Sequence, residues 1–590
     1  MDQVSDQSGV ERVLERPSAG PAGTGAPAGP RSRPRVVRLL RHEWFLAAAG
    51  SVLLAVLMTW PLMRDPAHTF ASDFWDPSLQ AWQLSWMGWA LLHSPGQFWD
   101  TNAHFGESWS FAYSDTLLGY LPFGLIGSGS EAAVLRYNLL FLLAFAGASF
   151  GAYVLARQLG ANRAGSLVAG LIFAYAPWRY AHMSHLNILS IGGIALSLAM
   201  LARGHGYSLR HGYRPAQARP AWALGGWLVA AWQITLGFGL GLPFGYVLGA
   251  LTAASVLFWL VKRPPFGKRL FRADLAGVLI FLAAVGLMAI PYLRMQQAYP
   301  GSARTLAEIN SFSGDVRQFV TAPGFEWLWG RDNQELRDAL IPQGGGEVWN
   351  LPGFFAIGLA GLGLVVSAWS RRHRVLMLLA AFAFAWVGMG MRAPWNYGYQ
   401  MLHHWLPGWD AIRTPGRLIL WVTLLLGLLA AGLITALAEQ LTGRVARPVL
   451  AVLLLLPAGL VVLEGVQITP FRDVPKAPVA LGSLAQPVLV LPTDKLADLL
   501  VMLWSTDGFP TVANGSSGYI PPRLEQLRAT VASFPDAASV RYLRDRGIRT
   551  VVVPRRSYSD PVPPATFTKP VDGLGITREE RGDAVVFGLG

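Results

Sequence analysis

Ser72-Asp73-Phe74-Trp75-Asp76-Pro77 sets two carboxylates three residues apart, directly before a proline. Acids at that spacing can hold a divalent cation against a phosphate, or one of them can take the proton of a sugar hydroxyl acting as nucleophile. The same residues suit a helix start, with Asp76 as N-cap and Pro77 at the first helical position. Trp82, Trp86 and Trp89 follow at helical spacing and fit an amphipathic helix anchored among lipid headgroups. A second group lies in Tyr175-Ala176-Pro177-Trp178-Arg179-Tyr180-Ala181-His182-Met183-Ser184-His185. His182 and His185 share a face if this turn is helical; they are either a weak metal pair or neutral residues of a polar loop. With Asp73 and Asp76 they are the candidate metal ligands. Arg179 can snorkel to bulk lipid phosphate or hold the phosphate of a lipid-linked substrate.

These residues need a scaffold, and composition says which kind. The chain has 590 residues, 52% hydrophobic and only 14% charged, where a soluble protein carries about a quarter charged. Apolar runs predict about eleven membrane-spanning helices, near 44–63, 133–156, 164–178, 186–202, 221–239, 241–261, 273–291, 353–369, 375–391, 418–438 and 447–468. The shorter run 115–126, broken by Pro122, reads as re-entrant or interfacial. With the N-terminus in the cytoplasm, the Arg- and Lys-bearing short loops all fall inside, as the positive-inside rule requires. Residues 1–36, rich in Pro, Gly and Ala, read as a disordered cytoplasmic tail. Residues 37–469 form the transmembrane part, with outer loops 64–132 and 292–352. Residues 470–590, with strand-like runs at Pro487–Pro492, Thr550–Pro554 and Ala584–Leu589, predict a small extracytoplasmic α/β domain. The net charge of +13 sits in loops and forms no continuous basic face, so nucleic acid is not a partner; anionic bilayer lipids are. The absence of cysteine excludes disulfides and thiolate chemistry.

On these features the chain resembles the GT-C superfamily of polytopic membrane glycosyltransferases, and more closely an actinobacterial-type branch of it. The resemblance is carried by the Asp73–Asp76 turn and its Trp-rich helix, by Tyr113-Ser114-Asp115, by His185-Leu186-Asn187, and by Glu347 before Leu351-Pro352-Gly353. It extends to Leu406-Pro407-Gly408-Trp409-Asp410-Ala411-Ile412-Arg413-Thr414-Pro415-Gly416-Arg417 and to Asn514-Gly515-Ser516-Ser517-Gly518-Tyr519-Ile520-Pro521-Pro522. It implies transfer of a sugar from a polyprenyl-phosphate donor to a glycan, lipid or protein acceptor of the cell envelope, on the outer face of the cell membrane. It matches the essential acid of the first outer loop to Asp76, with Asp73 as runner-up. No Asp-Glu pair adjoins them, so a divalent cation is compatible with the resemblance and not required by it.

The implied chemistry is a single displacement in which Asp76 removes the acceptor proton while Arg179 or Arg413 meets the charge of the leaving phosphate. Arg413 and Arg417 are four apart and share a face only if Pro415 leaves the helix continuous; otherwise they anchor at the interface. Glu347, with Glu308 and Asp315, either binds acceptor hydroxyls or belongs to a solvated loop face. Asn514 sits in a glycine-rich turn and can contact a glycan. Two other functions fit the same architecture: a non-catalytic envelope glycan or lipid-carrier binding protein, and a transporter. The transporter reading lacks mid-span charges and internal repeats.

Overall fold

The computed structural model describes residues 40–395 and 397–590; the N-terminal tail 1–36 lies outside the described residues. A helix occupies each of the eleven apolar segments: Glu43–Met58, Gly129–Leu159, Arg163–Tyr175, Leu186–Gly204 with a break at 190–191, Pro220–Leu236, Phe238–Lys262, Lys268–Ala298, Phe354–Val365, Arg371–Gly388, Ile419–Leu441 and Arg447–Glu464. Among the described residues six helical segments are long and apolar enough to cross a membrane. Many large apolar side chains of Phe238–Lys262, Lys268–Ala298 and Arg447–Glu464 point outward, with Leu257, Val261, Leu279, Leu287 and Val452 all exposed. Only a lipid surface suits such a belt.

The central helix, Ile419–Leu441, is buried along most of its length, between Arg163–Tyr175, Phe354–Val365 and Arg371–Gly388. Glycine makes that close approach possible. A Cβ on Gly165 would stand 2.5 Å from the Ala431 carbonyl oxygen, and one on Gly363 2.4 Å from that of Leu429. Small residues at helix crossings let backbones touch where lipid offers no hydrophobic drive to associate.

The loops gather at two ends. At one, the basic connections bond to each other: Arg210 pairs with Glu439, His205 Nε2 lies 3.0 Å from Asp274, and the Tyr213 hydroxyl donates to the Pro265 carbonyl at 3.0 Å. Two short strands, β2 (Tyr207–Ser208) and β3 (Gly212–Tyr213), form a hairpin there. At the other end the three segments expected outside meet. Strand β1 (Thr69–Ala71), just before the acidic turn, pairs antiparallel with β4 (Phe471–Asp473), just after the last helix. Ile468 donates to the Phe325 carbonyl at 2.7 Å, and Val512 to that of Asn102 at 2.8 Å.

The segment 115–126 forms short turns, its one α-helix being Leu121–Gly124. Four residues rise only about 6 Å, far short of a bilayer. Buried Arg136 gathers its end, its Nη1 donating to the carbonyls of Phe123, Gly124 and Ile126 at 3.2, 3.0 and 2.9 Å. Helix Asp76–His93 departs from the expected headgroup anchor. Trp82 and Trp86 are 1% and 2% exposed, with their indole N–H groups bonded to Asn102 Oδ1 (3.1 Å) and the Phe98 carbonyl (3.0 Å). Trp89 packs 5.0 Å from the Phe509 ring. The helix is therefore core, clamped under the loop that carries Phe98 and Asn102 and under the C-terminal region.

That region holds a four-stranded sheet in the order β5 (Val488–Val490), β6 (Thr550–Pro554), β8 (Ala584–Gly588), β7 (Thr577–Arg581), with β5 and β6 parallel and the other pairs antiparallel. Alternation assigns its faces. Val488, Val490, Val552 and Val586 join the core of the helical part, while Leu489, Val551, Val553 and Phe587 pack on Leu524, Leu527, Val540 and Leu543. Ala47–Gly590 coheres as one unit, so the sheet is packed on the helices and not merely tethered to them.

Candidate functional site

The acidic turn is fixed from both sides. Ser72 donates to the Pro470 carbonyl at 2.8 Å, extending the β1–β4 pairing by one residue. Asp73 Oδ1 then accepts the Trp75 N–H at 2.8 Å and Oδ2 accepts the Ser184 hydroxyl, so both its oxygens are committed. Burial raises the Asp73 pKa, more than those two hydrogen bonds lower it. Asp76 is the first residue of its helix. The N-cap is Trp75, with no side-chain cap bond, which corrects the expectation that Asp76 spends its carboxylate on capping. Its Oδ2 lies 3.2 Å from His185 Nε2, Oδ1 accepts no hydrogen bond among the described residues, and the side chain is 43% exposed.

His182 and His185 bracket the turn between helices Pro177–Ala181 and Leu186–Leu189, and both rings turn toward Glu347. His182 Nδ1 donates to the Trp178 carbonyl at 3.0 Å, which leaves Nε2 facing Glu347 Oε2 at 3.2 Å. His185 Nε2 lies 3.7 Å from Glu347 Oε1. Arg417 completes the cluster with a two-point grip on Glu347, Nη2 to Oε1 at 2.8 Å and Nε to Oε2 at 3.2 Å. Glu347 rides on a turn that begins at Gly344 and Gly345, with φ of +109° and +56°, values that favour glycine. The turn is pinned to the histidines through the Trp178 N–H, which donates to the Leu351 carbonyl at 3.0 Å.

The charges support one another. Burial alone would raise the Glu347 pKa, but Arg417, His182 and His185 outweigh it and hold the carboxylate well below its usual range. For His185, burial opposes the charged form; the Asp76 hydrogen bond and the Glu347 charge prevail and its pKa is raised. Arg413 has no hydrogen bond and no ion pair among the described residues. Its guanidinium lies 4.5 Å over the Phe312 ring, and burial followed by neighbouring Arg417 lowers its pKa. Pro415 opens a 3₁₀ turn, Pro415–Leu418, ahead of the α-helix, so Arg413 and Arg417 do not share an α-helical face. One is committed to Glu347 and the other is not.

Two expected site residues lie elsewhere. Arg179 is fully buried; Nη2 donates to the Leu189 carbonyl at 3.0 Å, Nε and Nη1 have no partner among the described residues, and the group lies 4.8 Å over the Phe145 ring. With no exposed surface, it cannot reach bilayer phosphate. Asn514 is fully buried as well. Its Oδ1 accepts the Val490 N–H at 2.7 Å, and its Nδ2 donates to the Val490 carbonyl (2.8 Å) and Asp498 Oδ1 (2.7 Å), so it stitches the C-terminal region and offers a glycan nothing. Of the other loop acids, Glu308 pairs with Arg304 and Asp315 with Arg317.

Asp115 was not among the expected site residues. It accepts the Asn187 amide at 2.7 Å and the Gly239 N–H at 3.1 Å, the latter at the start of helix Phe238–Lys262. Asn187 in turn accepts Gln80 Nε2 at 3.0 Å. Gln80 stands one helical turn beyond Asp76, and both acids are within electrostatic reach of Arg417. The spacing of Gln80 from Asp76 is visible in sequence; the Asn187–Asp115 bond joins distant segments and is not.

The four candidate metal ligands do not form a donor set. Both Asp73 oxygens and both His182 nitrogens are engaged, and His185 faces Asp76 as a charge partner. Among the described residues no group of three or more His, Asp or Glu side chains is arranged to hold a cation.

No protein-family model matches the chain, and no curated protein matches it. Among solved structures it is similar to the arabinofuranosyltransferase AftD from Mycobacteria, with 15% identity over 93% of this chain and 41% of that one and a TM-score of 0.48. It is also similar to the archaeal oligosaccharyltransferase AglB from Archaeoglobus fulgidus, solved with an inhibitory peptide and a dolichol-phosphate, with 10% identity over 87% of this chain and 69% of that one and a TM-score of 0.44. The chain thus spans about two fifths of the length of AftD. At this level of similarity, function is argued from the side chains of the site.

Proposed function

We propose that this protein is a GT-C-type membrane glycosyltransferase that moves a sugar from a polyprenyl-phosphate carrier to an acceptor hydroxyl of the cell envelope. One observation supports the reading: a half-exposed carboxylate with a free oxygen, Asp76, belongs to the Asp76–His185–Glu347–Arg417 ion network, and Arg413, a cation with no ion pair among the described residues, is within electrostatic reach of Glu347 and Arg417. The acidic-turn end faces outward and the basic loops face the cytoplasm, as their charge favours.

Asp76 Oδ1 takes the acceptor proton as the acceptor oxygen bonds to the anomeric carbon. The bond from that carbon to the carrier phosphate breaks, and its electron pair leaves with the phosphate, whose charge meets Arg413. His185 orients Asp76 through Oδ2, and Glu347 neutralises Arg417 so that it does not compete for Asp76. The engaged oxygens of Asp73 favour Asp76 as the base.

The test is transfer from a polyprenyl-phosphate sugar in nanodiscs. Asp76→Asn should lower turnover by about 10²- to 10⁴-fold with the fold retained, and Asp73→Asn should act mainly through stability. Turnover by Asp76→Asn at the unmutated rate would refute the assignment.

A further inference from the structure

Beside the acidic turn, the C-terminal region holds a cavity of about 360 Å³, within the range of small-molecule sites. Its lining includes Lys476, Trp504, Arg556, Tyr558 and Asp583. Arg556 has no ion pair or hydrogen bond among the described residues; its guanidinium stacks on Tyr558 at 5.1 Å, which fixes its plane. The adjacent Arg555 is paired with Glu580, so this surface has a carboxylate to spend and spends it one residue away. Lys476 is 84% exposed and no closer than 4.0 Å to Glu131. The Asp583 backbone is bonded on both sides, its N–H to the Pro478 carbonyl and its carbonyl to the Arg555 N–H, while its carboxylate has no partner among the described residues. One unpaired cation, Arg556, a second, Lys476, held only in a long exposed pair with Glu131, one carboxylate and two aromatic walls thus converge on one hollow.

We infer that this cavity binds a sugar unit carrying a negative charge, a carboxylate or a phosphate. Arg556 and Lys476 take the anion, the planar fork of Arg556 giving two-point contact. The Tyr558 and Trp504 rings take the apolar face of the sugar, and Asp583 accepts from a hydroxyl. The cavity is joined to the acidic turn, since Tyr558 packs edge-on against Phe74 at 6.3 Å and Phe74 lies two residues before Asp76. That the anionic sugar is part of the acceptor rests on the transferase reading above; that the cavity binds it does not.

Binding is measured on the full chain in nanodiscs by titration calorimetry. The probes are a disaccharide with one glucuronic acid, the same disaccharide with glucose in its place, and inorganic phosphate, in discs with and without phosphatidylglycerol. The acidic disaccharide should bind at least ten-fold tighter than the neutral one and than phosphate, in both kinds of disc. Arg556→Gln should weaken it by about 10- to 100-fold, the usual worth of a charge-assisted contact. Equal binding of the neutral disaccharide or of phosphate, wild-type binding by Arg556→Gln, or a signal confined to phosphatidylglycerol discs would overturn the proposal. Binding without sugar transfer would instead count against the transferase reading alone.

Discussion

Glu347 is the group whose removal tests the site most sharply. It is 14% exposed and meets Arg417 twice, at 2.8 and 3.2 Å, as well as His182 at 3.2 Å and His185 at 3.7 Å. Glu347→Gln keeps the shape and deletes the charge, which strands a guanidinium that is only 19% exposed. Breaking a buried pair from one side costs about 3–5 kcal/mol, chiefly because the other charge is left without compensation. Residual exposure puts this case near 3 kcal/mol. Arg417→Met should cost less, because two histidines still face the carboxylate. The double variant has no stranded guanidinium and should recover about 2 kcal/mol relative to the sum of the singles. Thermal unfolding of the four proteins in matched nanodiscs reads the cycle, and pH profiles of transfer read its effect on His185. Additive losses across the cycle would refute the claim that Glu347 exists to hold Arg417.

The other expected outcomes follow from the same geometry. His185 has a raised pKa, so its charged contribution is complete below the ordinary imidazole value of 6.5 and is lost as pH rises through the native value; stability and rate should fall on that alkaline side, and His185→Gln should remove the limb from a pH profile. Arg413→Gln should lower turnover by about 10²- to 10³-fold, as loss of a donor to developing charge does elsewhere, whereas Arg179→Met should keep the donor KM and melt no lower, measured side by side. Chelation with EDTA should leave the transfer rate unchanged, because the candidate ligands are engaged by other partners and no group of three is arranged to hold a cation among the described residues. Asn514→Ala removes three buried hydrogen bonds and leaves Val490 and Asp498 groups unmatched, so it should destabilise the C-terminal sheet by about 2–4 kcal/mol, seen as faster amide exchange in β5 while Asp76 chemistry persists in the folded fraction.

Periodicity and length made the helices legible, because a run of about twenty apolar residues has few alternatives. Strands β5, β6 and β8 were legible for a similar reason, being apolar runs bounded by prolines or glycines. β7, Thr577–Arg581, was not, since five exposed polar residues form an edge strand only because β8 offers a partner. The tryptophans of helix Asp76–His93 were misread through composition alone. An amphipathic interfacial helix and a helix buried under a loop look alike until the covering residues, here Asn102, Phe98 and Phe509, are located. Arg179 misled in the same way, as its charge suggests phosphate while its neighbours Phe145 and Trp178 enclose it. The Asp73–Asp76 turn, the two histidines, Glu347 and Arg417 were each identifiable by type, yet their convergence depends on β1 meeting β4 and on Trp178 meeting Leu351. Those contacts join residues far apart in the sequence, Thr69 with Asp473 and Trp178 with Leu351.

The arrangement of commitments explains why such a cluster would be built at all. A lone carboxylate near Arg413 and Arg417 would collapse onto the nearer cation and be unavailable to a substrate. Here Glu347 absorbs Arg417, and the histidines share the remaining charge of Glu347. His185 then restrains Asp76 through one oxygen only. Asp73 is removed from competition by Ser184 and the Trp75 N–H. After these pairings Asp76 Oδ1, which can accept a proton, and Arg413, which can receive an anion, are left without a hydrogen bond or ion pair among the described residues. Exchanging the two commitments should therefore be worse than losing either. Glu347→Arg, which repels Arg417 and frees it toward Asp76, should abolish transfer more completely than Glu347→Gln. Equal residual rates for those two variants would mean that Asp76 is held away from Arg417 by something other than Glu347.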